Sequence, residues 1–111
     1  SQALIKESIS WNEFLAFLLI YIAHVDMEFA EEEKAMIKTK FGEDIYEKMF
    51  AEFDTMSDYK AYETILSYKG VYFPTQEQKE EIIEKMKTLF DADAEFNIME
   101  KELLHFLDRM M

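Results

Sequence analysis

The chain has 111 residues and carries 24 acids against 12 bases, a net charge of −12. That charge repels nucleic acid and anionic lipid and favours cations or basic partners. It has no cysteine, which excludes disulfides, thiolate metal sites and a cysteine nucleophile and agrees with a reducing, cytoplasmic setting. Half the residues are apolar, and there are only two glycines and one proline, which argues against disorder and for long helices in one domain.

Residues 1–9 hold Ala3, Leu4, Ile5 and Ile9 without a readable period. Ser10 and Glu13 then form a capping box, serine first and glutamate three residues on. A first helix is expected over about Trp11 to Val25. Within it, Phe14 to Val25 contains eleven apolar residues in twelve. No one-sided stripe is that wide, so this helix is expected to be buried nearly all round, as the central rod of the domain. A bilayer span needs about 20 apolar residues, so no membrane insertion is expected here.

Glu31, Glu32 and Glu33 place negative charge where a helix dipole favours it. A second helix is expected over about Ala30 to Lys40, with Met36, Ile37 and Phe41 on its core side and Gly42 as terminator. Ile45, Met49, Phe50 and Phe53 recur at helical spacing and predict a third helix over Glu43 to Thr55. Ser57 or Asp58 caps a fourth, which is expected to stop at Gly70. Val71, Tyr72 and Phe73 are expected to be extended ahead of Pro74. Thr75 with Gln78 caps a fifth helix, carrying Ile82, Ile83, Met86, Leu89 and Phe90. A sixth is expected to begin after Asn97, with Glu100 three residues on.

The second half echoes the first. With a shift of 67, Val25 to Ile37 lies over Ala92 to Leu104. Asp26 then meets Asp93, Glu28 meets Glu95, Phe29 meets Phe96, Glu33 meets Glu100 and Lys34 meets Lys101, five identities in thirteen positions. Upstream, Ile22 falls on Leu89. No segment alternates long enough to be a strand. The expected fold is all-α: a single compact bundle of five to seven helices over residues 1–111, with two pseudo-symmetric helix hairpins. The first repeat covers about 11–41, bridging helices about 43–70, and the second repeat about 75–110.

An apolar helix, an aspartate, a large apolar residue three positions on and a glutamate four further occur twice: Asp26, Phe29 and Glu33, then Asp93, Phe96 and Glu100. This pattern resembles the TerB-like family, which includes tellurite-resistance proteins and the N-terminal domain of a DnaJ-type co-chaperone. Where that family usually has glycine after the aspartate, Met27 and Ala94 stand here. The resemblance implies a pseudo-symmetric helical domain with acidic residues that bind a divalent metal, and a role in stress response.

The acidic turns have two physical readings. Asp26, Glu28 and Glu33 in the first turn, and Asp91, Asp93, Glu95 and Glu100 in the second, offer the oxygen ligands that calcium or magnesium takes. The same residues equally serve as scaffold, capping backbone N–H groups and complementing helix dipoles. An alternative for the second turn alone is an EF-hand-like calcium sensor. Asp91, Asp93, Glu95 and Glu102 fall on the first, third, fifth and twelfth places of that loop and Ile98 on the eighth, although Phe96 stands where a glycine makes the sharp turn. The first turn does not fit that loop, since His24 would open it and Ala35 close it.

His24 lies four residues before Glu28 and has two readings: a transition-metal ligand or a hydrogen-bonded, partly buried ring. Tyr59, Tyr62, Tyr68, Tyr72 and Phe73 crowd the middle of the chain. They either line a groove for a protein partner or pack the central helices. The eight methionines read as gap-fillers in a small core. There is no phosphate loop, nucleophile elbow or H-E-x-x-H sequence. The expectation is therefore a non-catalytic interaction module with a protein partner and no nucleic acid.

Overall fold

The computed structural model describes residues 9–25, 31–90 and 94–110, with the side chains of residues 94 and 95 excepted. Those residues form α1 (Trp11–Val25), α2 (Glu31–Phe41), α3 (Glu43–Asp54), α4 (Asp58–Ser67), α5 (Lys69–Tyr72), α6 (Gln76–Phe90) and α7 (Ala94–Met110). All are helical, and no strand occurs among the described residues.

The start of α1 is fixed by the expected capping box. The Ser10 backbone N–H donates to Glu13 Oε1 at 2.8 Å, and the Glu13 N–H donates to Ser10 Oγ at 3.1 Å. Glu13 makes a third hydrogen bond: Lys48 on α3 donates to its Oε2 at 2.9 Å. That ammonium, and then the Ser10 amide, hold the Glu13 carboxyl below the usual carboxylate range. A depressed folded-state value stabilises the fold above the unfolded value and ceases to do so as pH falls through the folded one. Glu13→Ala is therefore expected to cost about 1 kcal/mol in urea unfolding at neutral pH. The gap to the parent protein should narrow on acidification, as pH falls below the ordinary carboxylate range and through the folded value. A gap that does not narrow on acidification would count against this role for the carboxylate.

Ten consecutive residues of α1, Phe14 to Ala23, are buried. No ordinary surface helix tolerates that, and α1 achieves it by lying against α2, α3, α4 and α7 at once. Its contact with α3 is the most extensive between any two elements. Aromatic rings close the start of the rod. Phe14 packs against Tyr72 at 4.7 Å between ring centroids, against Tyr68 and Phe73 at 5.9 Å each, and against Trp11 at 6.4 Å.

Gly42 ends α2 and begins α3. Its N–H donates to the Lys38 carbonyl at 2.8 Å, and its own carbonyl accepts from Tyr46 N–H at 3.0 Å. Its φ of 92° lies in territory that side chains strongly disfavour. Ser57 caps α4 by accepting from Lys60 N–H, and Thr75 caps α6 by accepting from Gln78 N–H.

Two expected boundaries are corrected. Val71 and Tyr72 are helical, in α5, and Gly70 sits inside that turn rather than ending a helix. The Tyr68 carbonyl accepts from both the Val71 and Tyr72 N–H groups, so the turn closes before the constraint of Pro74 is felt. Only Phe73, directly before the proline, leaves the helical region, at φ −150° and ψ 55°. The last helix begins at Ala94, not after Asn97. Phe96 stacks in parallel on Phe90 at 4.7 Å, and this packing draws the segment ahead of Asn97 into α7.

Tyr46 shows what close packing costs. It is 1% exposed and stacks on Phe50, yet its hydroxyl has no hydrogen-bond partner. Burial pushes this phenol up to about 12. A raised folded-state value means that its contribution is intact below the unfolded value and is lost as pH rises through the folded one. Tyr46→Phe is expected to be neutral or stabilising by up to about 1 kcal/mol, because it removes an unsatisfied polar group at constant shape. The same variant should lose one phenolate absorbance step near pH 12. A loss of stability would show that the hydroxyl is in fact engaged.

Candidate functional site

Of the residues proposed for the acidic turns, Asp26, Glu28, Asp91 and Asp93 lie outside the described residues, as does the side chain of Glu95. Phe29 also lies outside them, and the 2%-exposed Phe96 is a core residue. The two remaining carboxylates behave differently. Glu100 on α7 meets Lys87 on α6 at 3.5 Å, an ion pair that staples the second hairpin. Glu33 on the first turn of α2 has a buried oxygen, Oε2, with no hydrogen-bond partner. Among the described residues, no three histidine or carboxylate groups converge as a metal cage. The repeated positions differ in burial as well. Ile37 is fully buried, whereas Leu104, its counterpart under the shift of 67, is 39% exposed.

Of the twelve places of the EF-hand-like loop, the first three, 91–93, lie outside the described residues. Places four to twelve of that loop, Ala94 to Glu102, lie on α7, where a helical backbone does not wrap a cation.

His24 is an exposed residue with a hydrogen-bonded ring. Nδ1 lies 3.1 Å from the Ile20 carbonyl, which can only accept, so Nδ1 carries the proton. The ring also packs on Phe53 at 4.7 Å.

The aromatic residues of the middle segment divide into two groups. Tyr68, Tyr72 and Phe73 turn inward onto Phe14. Tyr72 also donates its hydroxyl to the Ile9 carbonyl at 2.7 Å. Tyr59 and Tyr62, three residues apart on α4, turn the other way. With Tyr21 and Val25 of α1, Asp58 of α4, and Phe106 and Arg109 of α7, they line an open cleft of about 470 Å³.

The floor of this cleft is buried and aromatic. Tyr21 and Phe106 are nearly buried and meet edge to face at 5.3 Å between centroids, with Tyr62 6.3 Å from Tyr21. The rim is exposed: Tyr59 is 67% accessible and Val25 is 36% accessible. Two charges of opposite sign stand beside these rings. Asp58 begins α4. Arg109 holds its guanidinium over the Phe106 ring at 5.3 Å, and its Nη1 lies 3.4 Å from His105 Nε2. Arg109 is the only arginine in the chain. Three helices thus supply a preformed apolar floor, aromatic walls and a few placed polar groups, the usual make-up of a recognition surface.

Tyr59 and Tyr62 were visible in the sequence. Tyr21 and Val25 were not, because they sit in a run that reads as core throughout. Arg109 was missed as well, although its being the sole arginine, one turn after Phe106, was a readable signal.

Comparison with family models, with curated proteins and with solved structures found no match to this chain.

Proposed function

We propose that this chain is a non-catalytic helical interaction module whose binding surface is the cleft between α4 and α7, floored by α1. One observation carries the reading: Tyr59 is 67% exposed while Tyr62 packs on Tyr21 at the edge of the core, and together they wall an open, largely apolar cleft. Tyrosine and arginine beside a buried aromatic floor are the residues in which binding energy concentrates at protein interfaces. The TerB-like resemblance of Asp26, Phe29, Glu33 and their repeats supports the same class, a helical accessory domain.

The reading is tested with a photo-crosslinking amino acid placed at Tyr59 and, as control, at Val71, which is comparably exposed at 64%. Discrete protein adducts from the Tyr59 position and none from Val71 are expected in cells. Equal labelling from both positions would overturn the assignment of the cleft.

Glu33 favours a second role. A buried carboxylate oxygen without a donor is costly, and a divalent cation is one remedy. The first turn would then hold calcium or magnesium through Glu33, with Asp26 and Glu28 as the adjoining ligands that the sequence supplies. Titration calorimetry of chelator-treated protein with each ion is the test. Binding lost in Glu33→Gln and kept in Glu100→Gln would support a site at the first turn only. The absence of heat for either ion would leave Glu33 as a structural residue.

A further inference from the structure

We infer that the partner of the α4/α7 cleft is an amphipathic helical segment that sets an apolar side chain between Tyr59, Tyr62 and Phe106 and a carboxylate against Arg109. This rests on reading the cleft as the binding surface and adds the chemistry of what fills it.

The shape of the cleft argues for a chain segment. A small-molecule site encloses most of its ligand, whereas this cleft is open to solvent. Its walls are two helices over an apolar floor, the arrangement that receives the apolar face of an amphipathic helix.

Charge argues for the carboxylate. The chain has 24 acids and a single arginine, yet Arg109 forms no ion pair with a described carboxylate. Its recorded contacts are the Phe106 ring and His105 Nε2. A guanidinium has five N–H donors, and His105 accepts from one. Stacking on Phe106 holds the planar fork in place, so it loses little freedom when it meets a carboxylate. Such a pair is bidentate and stronger than a neutral hydrogen bond.

Asp58 lines the same cleft with the opposite sign. It sits on the first turn of α4, where the helix dipole favours it. A basic group of the partner meets Asp58, and the two charges together fix the direction in which the segment lies. The net charge of −12 opposes acidic ligands at long range. At physiological salt that field is screened beyond about 8 Å. The partner segment is therefore neutral or basic overall, with one carboxylate placed to reach Arg109. The competing account is that Arg109 only complements the C-terminal dipole of α7, and that account predicts no discrimination between ligands.

The test titrates the ¹⁵N-labelled full chain with two short alanine-based model helices, acetylated and amidated at their ends. Both carry the same leucine stripe and the same lysine at one end. They differ at one position flanking the stripe, glutamate in one and lysine in the other. The glutamate helix is expected to bind about tenfold more tightly, the size of one charge-assisted contact. Amide shifts should centre on Tyr59, Tyr62 and Arg109. Arg109→Glu should reverse the order of the two helices, and Arg109→Gln should abolish the difference. Equal binding of both helices in the cleft would overturn the carboxylate partner and leave the cleft assignment standing. Retention of the glutamate preference in Arg109→Glu would also overturn it. Failure of either helix to shift cleft amides would overturn the cleft assignment itself, and this inference with it.

Discussion

Phe14→Ala is expected to lower the midpoint of thermal unfolding by about 12–20 °C. Phe14 is fully buried and touches four aromatic rings drawn from α1, α5 and the residues on either side of α5. Truncating a buried phenylalanine costs roughly 3–5 kcal/mol, part of it lost transfer energy and part the cavity left behind. A domain of this size has only about 5–15 kcal/mol in total. At about 4 °C or more per kcal/mol the melting shift follows. The surrounding rings are rigid and planar, so they cannot collapse into the space. Phe14→Leu keeps most of the volume and should cost less than half as much. Circular dichroism melts of the two variants decide the matter. A shift below about 5 °C for the alanine variant would mean that the ring cluster is not tightly packed.

The second large effect concerns Lys79, a charged residue only 5% exposed, whose ammonium is bonded to Asp108 of α7. Asp108 itself is largely in water, its side chain 64% exposed. Asp108→Ala leaves a buried ammonium without its counter-charge. For a fully buried pair that loss is about 3–5 kcal/mol. Here water reaches the partner side, so about 1–3 kcal/mol is expected. Lys79→Met removes the charge and keeps the aliphatic stem. It should be neutral or stabilising, since the desolvation penalty disappears with the charge. The contrast between the two variants in urea midpoints is the diagnostic result. Equal losses would show that the stem of Lys79, rather than its charge, accounts for its place. No loss in Asp108→Ala would show that the ammonium readily swings into solvent.

Much of this fold was legible because local signals and burial agreed. Phe14 to Ala23 is too apolar for any position but the centre, and it lies there. Ser10, Ser57 and Thr75 mark helix starts through side-chain oxygens that accept nearby amides, a strictly local matter. The misplaced boundaries lay where a distant or shared contact decided the outcome. Asn97 with Glu100 has the spacing of a cap, but Phe96 stacking on Phe90 extends the helix past it. Val71 and Tyr72 follow a shared acceptor at Tyr68 rather than the proline two residues on. The candidate site was legible only in part. Tyrosines at 59 and 62 stand out in the sequence, but their separation from Tyr68 and Tyr72 depends on how α4 sits against α1. Periodicity cannot supply that angle. The acidic turns, the most conspicuous motif, are represented in the described structure by Glu33 and Glu100, which have unlike surroundings.

The short helix α5 reaches toward both extremes of the described chain. Tyr72 donates to the carbonyl of Ile9, and Lys69, one turn earlier, donates to the carbonyl of Met110, each at 2.7 Å. Residues 9 and 110 therefore lie within about 25 Å of each other, the reach of two side chains and one helical turn. The four residues of α5 thus clasp the outer ends of the first and last long helices together, so a change at Lys69 or Tyr72 is felt at both.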